Sequence, residues 1–304
     1  MALDVRPLTL AELLDRSFST YKRHVWLFVG IMAVPAVFAL AYAIVVQVFQ
    51  FWMGPPAANM TPEMVMRRSV PMVAAGLVFL LVYMVVNSFA LGATTIAVAR
   101  IYNDQPIDVA GSYRAIRPMG WRLVGLLMWA GLRIGFVWFG LFAMVGVLAA
   151  LSAFLSPILS GLILFGGFLL AVAGAVYFSV RYALCVPAAV LEDLSPNAAI
   201  ARSVQLTEDY RGRIFLILLC AIVVTYAAAA LLQGPFMVGA IVAGPGTVTA
   251  LTLEIIGAVL GTAGSTFSGP IMIIGLAMAY YDLRIRKEAL DLDMMLAALD
   301  APRA

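Results

Sequence analysis

The sequence predicts an all-α polytopic membrane protein: six transmembrane helices as three hairpins, with cytoplasmic interfacial amphipathic helices. Two observations predict it. The 304 residues are 64% hydrophobic and 12% charged, with a mean hydropathy of +1.02, whereas a soluble domain carries about 25% charged residues. The charges also avoid six long apolar stretches and gather in alternate gaps between them. Crossing about 30 Å of hydrocarbon takes roughly 20 apolar residues as a helix. The stretches are Val25–Phe51, Val70–Ala99, Leu123–Ala149, Pro157–Val180, Ile214–Leu232 and Leu253–Tyr281. They are continuous runs, not the short alternating segments of a barrel.

The gaps divide into two sets. Arg6, Arg16, Lys22 and Arg23 precede the first span. Arg100, Arg114, Arg117 and Arg122 separate the second from the third, and Arg181, Arg202, Arg211 and Arg213 separate the fourth from the fifth. Arg284, Arg286, Lys287 and Arg303 follow the sixth. On the other side only Arg67 and Arg68 occur, in the first hairpin loop, and the turns near Ser152–Ser156 and Gly234–Val248 carry none. Positive charge marks the cytoplasmic side, so both termini and both long connections are expected there. The net charge of +3 follows from this topology and is not read as nucleic-acid affinity. The first apolar run is too long for a signal-peptide core and lacks a small-residue cleavage site, so it is expected to stay as a span. Cys185 and Cys220 lie near cytoplasmic ends, where a disulfide is not expected, and read as buried small residues.

Each cytoplasmic segment has the pattern of a short amphipathic helix feeding a pair of spans. The first starts at Thr9, with Glu12 at capping-box spacing. It places Leu10, Leu13, Leu14, Phe18 and Tyr21 on one face, away from Asp15, Arg16 and Lys22. The second covers Val109–Arg117 and stops at Pro118. The third starts at Ser195-Pro196 and carries Ala199, Ile200, Ser203 and Leu206. Units 9–102, 108–182 and 195–284, followed by a tail over 285–304, describe this order as a threefold repeat. The alternative is that Arg and Tyr simply anchor every cytoplasmic helix end. Lying in the headgroup plane, the helices would offer Arg16, Lys22, Arg23, Arg114, Arg117, Arg202, Arg213, Arg284 and Arg286 to anionic inner-leaflet lipid.

Arg133 is the outlier within the spans, about ten residues into the third. A charge at that depth costs about 2.5–3.5 kcal/mol on insertion scales and normally faces a partner. Asn87, Glu254, Thr225, Tyr226, Ser265, Ser268 and free carbonyls near Pro270 are the partners available. Read functionally, Arg133 with Asn87, Glu254, Ser265 and Ser268 makes a ligand or anion site. Read plainly, the span begins near Ile134 and Arg133 anchors its cytoplasmic boundary. Gly257, Gly261, Ser265 and Gly269 recur at four-residue spacing before Pro270, and Gly131 with Gly135 repeats the pattern; small residues so spaced allow close helix packing. A broken helix lining a cavity is the alternative. Pro35 is a further kink candidate.

No catalytic residues, metal site or cofactor are expected. His24 is the single histidine, and no Gly-rich phosphate loop, nucleophile elbow or metal-spaced cysteines occur. Glu192-Asp193, close to Arg202, reads as a cap or ion pair. Leu290, Met294 and Leu299 pattern the tail as one more surface helix or a partner-binding segment.

The stretch Arg181-Tyr182-Ala183-Leu184 through Val190-Leu191-Glu192, then Ala199–Leu206 and Arg213, has a familiar form. So does Tyr281-Asp282-Leu283-Arg284-Ile285-Arg286-Lys287-Glu288 with Leu290-Asp291-Leu292. With Leu14-Asp15-Arg16-Ser17-Phe18 and Tyr21-Lys22-Arg23, the chain resembles the prokaryotic family called the glycerophosphoryl diester phosphodiesterase membrane domain. The likeness implies a multi-pass protein of a prokaryotic cytoplasmic membrane. The hydrolase domain for which that family is named is a barrel with histidines, carboxylates and a metal, and this chain has no room for it. The expectation is a non-enzymatic membrane protein, lipid-interacting or an accessory to other membrane proteins. A transporter or channel for an anionic or lipid-like solute, with Arg133 in its site, is the alternative.

Overall fold

The structure, a computed structural model, describes residues 8–54 and 61–288. Arg6, Arg303 and the tail pattern at Leu290, Met294 and Leu299 lie outside the described residues. Ten helices follow one another, and no strand occurs, among the described residues. They are α1 (Leu10–Arg23), α2 (Val25–Met53), α3 (Pro62–Tyr102), α4 (Val109–Ile116) and α5 (Gly120–Ala153). Then come α6 (Pro157–Tyr182), α7 (Cys185–Leu191), α8 (Pro196–Thr207), α9 (Arg211–Ala243) and α10 (Val248–Glu288). Six of these helices are long and apolar enough to cross a membrane. The chain forms two compact units.

In the unit of residues 9–121 and 217–278, α1 carries the expected capping box. The Glu12 N–H donates to Thr9 Oγ1 at 3.3 Å and the Thr9 N–H donates to the Glu12 carboxylate at 2.7 Å. The buried face differs from the expected one: it is Leu13, Ser17 and Tyr21, while Phe18 is exposed beneath the Lys22 ammonium. Ser17 tolerates burial because its hydroxyl donates to the Leu13 carbonyl at 2.7 Å. Its small side chain stands 4.0 Å from where a Cβ on Gly275 would lie, so α1 packs against α10 with this face.

Short helices reach carbonyls beside two prolines that lie inside long helices. Pro35 has no N–H to give the Ile31 carbonyl. The Tyr113 hydroxyl of α4 donates to that oxygen at 2.8 Å, and burial pushes the phenol up to about 12, so it stays a donor at any working pH. Near Pro270, the Tyr21 hydroxyl of α1 donates to the Phe267 carbonyl at 2.6 Å. The α2 and α3 helices meet through the stacked rings of Tyr42 and Phe79, 3.9 Å between centroids.

Helices α9 and α10 approach closely at Gly257, Gly261 and Gly264. A Cβ there would stand 3.2 Å from Phe236, 2.6 Å from Gln233 and 2.8 Å from Leu232. The seam therefore leaves the expected four-residue row: Ser265 is exposed, and Gly269, like Gly131 and Gly135 in α5, has open space where a Cβ would be. A helix turns every 3.6 residues, so a strict four-residue row drifts off the contact line and the seam steps back to Gly264. The expected turn at Gly234–Val248 is mostly helix: α9 continues through Pro235 and the chain reverses only at 244–247, where Gly244 and Gly246 take positive φ. Arg67 and Arg68 likewise belong to the first turns of α3, with Arg68 donating to the Gly54 carbonyl.

In the unit of residues 8, 122–216 and 279–288, Val145 of α5 packs onto Gly167 of α6. After a two-residue break the chain enters α7, a wholly apolar helix with Cys185, Pro187, Ala188, Ala189 and Val190 buried; the sequence reading treats this stretch as connection. Ser203 of α8 bridges the break, donating to the Arg181 carbonyl at 2.9 Å and accepting from the Leu184 N–H at 3.1 Å. Ala199, Ile200, Ser203 and Leu206 are all buried. Cys185 is buried as expected, but Cys220 is exposed, and both are free thiols.

Gly120 opens α5 directly against the Phe89 ring of α3, and a Cβ there would overlap that ring. Gly120→Ala is therefore expected to destabilise the protein by about 1–3 kcal/mol, the usual cost of overpacking. Gly135→Ala, into open space, is expected to be neutral or stabilising. Thermal unfolding of the two variants in one detergent measures the contrast.

Candidate functional site

Arg133 lies on α5 in line with Arg122 and Trp129, three positions that a helix brings to one face. That face meets the start of α8. Arg133 Nη2 donates to Asn197 Oδ1 at 3.1 Å, and Trp129 Nε1 donates to the same oxygen at 2.7 Å. The guanidinium stands 5.0 Å from the Trp129 ring centroid. Just before α8, Asp193 pairs with Arg122, and its positive φ of 54° turns the chain from α7 towards α8. The partner of Arg133 is thus Asn197 in the connection between the fourth and fifth long helices. The other members of the sequence-based anion site fall in the other unit. There Ser265 and Ser268 donate to Thr262 and Gly264 carbonyls of their own helix, at 2.9 Å each. Glu254 is exposed and contributes its backbone carbonyl to Gln47 at 3.4 Å, and Asn87 is half-buried on α3.

The structure assembles a different polar cluster, at the end of α10. The Asp282 side chain is 1% exposed. Arg213 from the first turn of α9 reaches it at 3.1 Å, and Arg286 from one turn further along α10 reaches it at 3.0 Å. The backbone of Leu8 completes the group: its N–H donates to Asp282 Oδ1 at 2.7 Å. The Leu8 carbonyl accepts from Arg213 at 2.8 Å and from Arg286. Two cations, one carboxylate and the backbone N–H and carbonyl of Leu8 are therefore bonded to one another, mostly out of water, while Arg213 Nε stays buried without a hydrogen-bond partner.

A second group lies beside it. Arg202 of α8 grips the Glu192 carboxylate with Nε and Nη2, at 3.1 and 2.9 Å, and donates to Glu288 at 2.7 Å. Arg284 reaches the same two acids, at 3.3 and 3.1 Å, and the Tyr280 hydroxyl donates to Glu192. The hydrogen bond to Glu288, and then the pairing with Glu192, push the Arg202 pKa further above its already high value, against the opposing effect of burial. Glu192 thus forms the ion pair with Arg202 that the sequence reading anticipates.

These contacts alter the list of lipid-facing cations. Arg202, Arg213, Arg284 and Arg286 point at carboxylates and carbonyls of their own chain. Glu192 was anticipated beside Arg202, but Glu288 was hidden from sequence reading because it stands 86 positions from Arg202. The i, i+4 spacings Asp282–Arg286 and Arg284–Glu288 were the available signal. Arg114 and Arg117 are exposed, with no carboxylate partner among the described residues. Arg16 and Lys22 lie on the outer side of α1, half-buried and exposed, and Arg23 is exposed at its end.

Removing one member of a buried ion group leaves the remaining charge unpaired and typically costs about 3–5 kcal/mol. Asp282→Asn is expected to lower stability by an amount in that range, while Arg117→Gln stays within about 0.5 kcal/mol of the parent. Unfolding midpoints of detergent-solubilised protein compare the two; equal midpoints would contradict the role given to Asp282.

No family model, curated protein or solved structure matches the chain.

Proposed function

We propose that this is a non-enzymatic integral membrane protein that binds anionic phospholipid headgroups at its cytoplasmic face, in a prokaryotic cytoplasmic membrane with both termini inside. The observation that carries the reading is Arg133 bonded to Asn197 and stacked near Trp129, with no carboxylate partner among the described residues. From Ile134 to the end of α5 at Ala153 there are about 20 residues, one hydrocarbon thickness. This length supports the reading that the Trp129–Arg133 pair lies at the headgroup level, where aromatic and basic side chains anchor membrane helices. A fixed cation there attracts anionic lipid. Arg114 and Arg117 add exposed positive charge on the connection that precedes α5.

The likeness to the glycerophosphoryl diester phosphodiesterase membrane domain agrees with this reading, since it rests on cytoplasmic helix ends of the same kind. Binding lipid at that surface suits a protein that organises lipid or supports partner proteins in the membrane. Transport drew its support from Arg133 as a charge at mid-depth, and the Asn197 contact favours the boundary position instead.

In nanodiscs, the protein is expected to unfold at a higher temperature with phosphatidylglycerol present than in phosphatidylcholine alone. Arg133→Gln is expected to narrow the difference. Equal unfolding temperatures in the two lipids would refute the reading.

A further inference from the structure

We propose that Tyr177, Arg181 and Arg211 form a binding site for the phosphate of an anionic glycerophospholipid, where α6 ends and α9 begins. The inference rests on the lipid-binding reading above and gives it one location. Arg181 donates to the Tyr177 hydroxyl and holds its guanidinium 5.6 Å from the ring centroid, while Arg211 holds its own 5.9 Å from the same ring. Two like charges thus share one phenol, and neither has a carboxylate partner among the described residues. Every other described cation from Arg202 onwards in this unit has an acid: Arg202, Arg213, Arg284, Arg286 and Lys287. Like charges gathered without a counterion repel, and an anion placed between them removes the repulsion. Guanidinium groups bind phosphate through paired N–H donors, and the tyrosine hydroxyl adds another polar contact.

The site has a fixed base. The Arg181 carbonyl accepts from Ser203, which is fully buried, so the end of α6 is held from the protein side. Its ligand side is open: Tyr177 and Arg211 are exposed, and Gly212 leaves the first turn of α9 uncovered. Depth selects a lipid as the source of the phosphate. From Pro157 to Val176 runs about one hydrocarbon thickness of helix, which sets Tyr177 and Arg181 at its edge. One and two turns back from Tyr177 on the same face, Ala173 and Leu170 are exposed apolar residues along which an acyl chain can lie.

The test is native mass spectrometry of the full chain in detergent with added phosphatidylglycerol, with phosphatidylcholine as the neutral control. Parent protein is expected to retain phosphatidylglycerol selectively, and Arg181→Gln/Arg211→Gln is expected to lose about tenfold or more in affinity, as for lost charge-assisted pairs. Tyr177→Phe, which removes one hydroxyl, is expected to weaken binding and serves if the double variant does not elute as a single species. Arg67→Gln removes an exposed cation near the start of α3, outside the proposed lipid-binding face, and is expected to change little. Selective parent binding untouched by the Tyr177, Arg181 and Arg211 variants would overturn this site and leave the general reading standing. An equal loss in the Arg67 control would overturn it too, as would displacement of the lipid by inorganic phosphate, which would assign the site to a free anion. A parent protein that does not distinguish the two lipids would overturn both readings.

Discussion

An ionised carboxylate taken out of water must be met by positive charge and by hydrogen-bond donors. At Asp282 this requirement fixes three pieces of chain at once. Arg213 brings the first turn of α9, Arg286 extends α10 by a further turn, and Leu8 supplies both its N–H and its carbonyl. The neighbouring group of Arg202, Arg284, Glu192, Glu288 and Tyr280 repeats the logic with two acids and two cations. Together they fasten the short helices α7 and α8 to the end of α10.

The arginines of the chain consequently serve two purposes that composition cannot separate. One set closes ion pairs inside the protein. The other, Arg133, Arg181 and Arg211, stands among aromatic rings and amides without a carboxylate. Membrane electrostatics gives the second set its proposed meaning, since a cation at the edge of hydrocarbon faces lipid phosphate rather than bulk water. Backbone polar groups follow a similar division. Where Pro35 interrupts a long helix, a tyrosine from a short helix supplies the missing donor, and another reaches the backbone beside Pro270. The tyrosines tie the short helices to the proline-containing stretches of the long ones.

What was legible in the sequence was whatever depends on near neighbours. Six apolar runs became six long helices because length and hydropathy suffice for that. The Thr9–Glu12 cap formed as spaced, and the Ala199–Leu206 face is buried. Contacts between distant positions were not legible. Tyr113 finds Ile31 across 82 positions and Tyr21 finds Phe267 across 246. The inversion at Phe18 and Ser17 has a related cause: hydrophobicity assigned the face, but closeness of approach to Gly275 decided it. Arg133 was recognisable as an unusual charge, yet its partner Asn197 lies 64 positions away on the short helix α8, outside the apolar spans.

The most direct measurement is the depth of Trp129 in a bilayer. In a variant with the other tryptophans replaced by phenylalanine, quenching by lipids brominated at successive acyl positions reports that depth. Strongest quenching from the shallowest positions is predicted, since the proposed reading puts Trp129 and Arg133, which share Asn197, at the headgroup level. Strongest quenching from positions near the bilayer centre would contradict the account, because Arg133 would then be a charge inside the membrane after all.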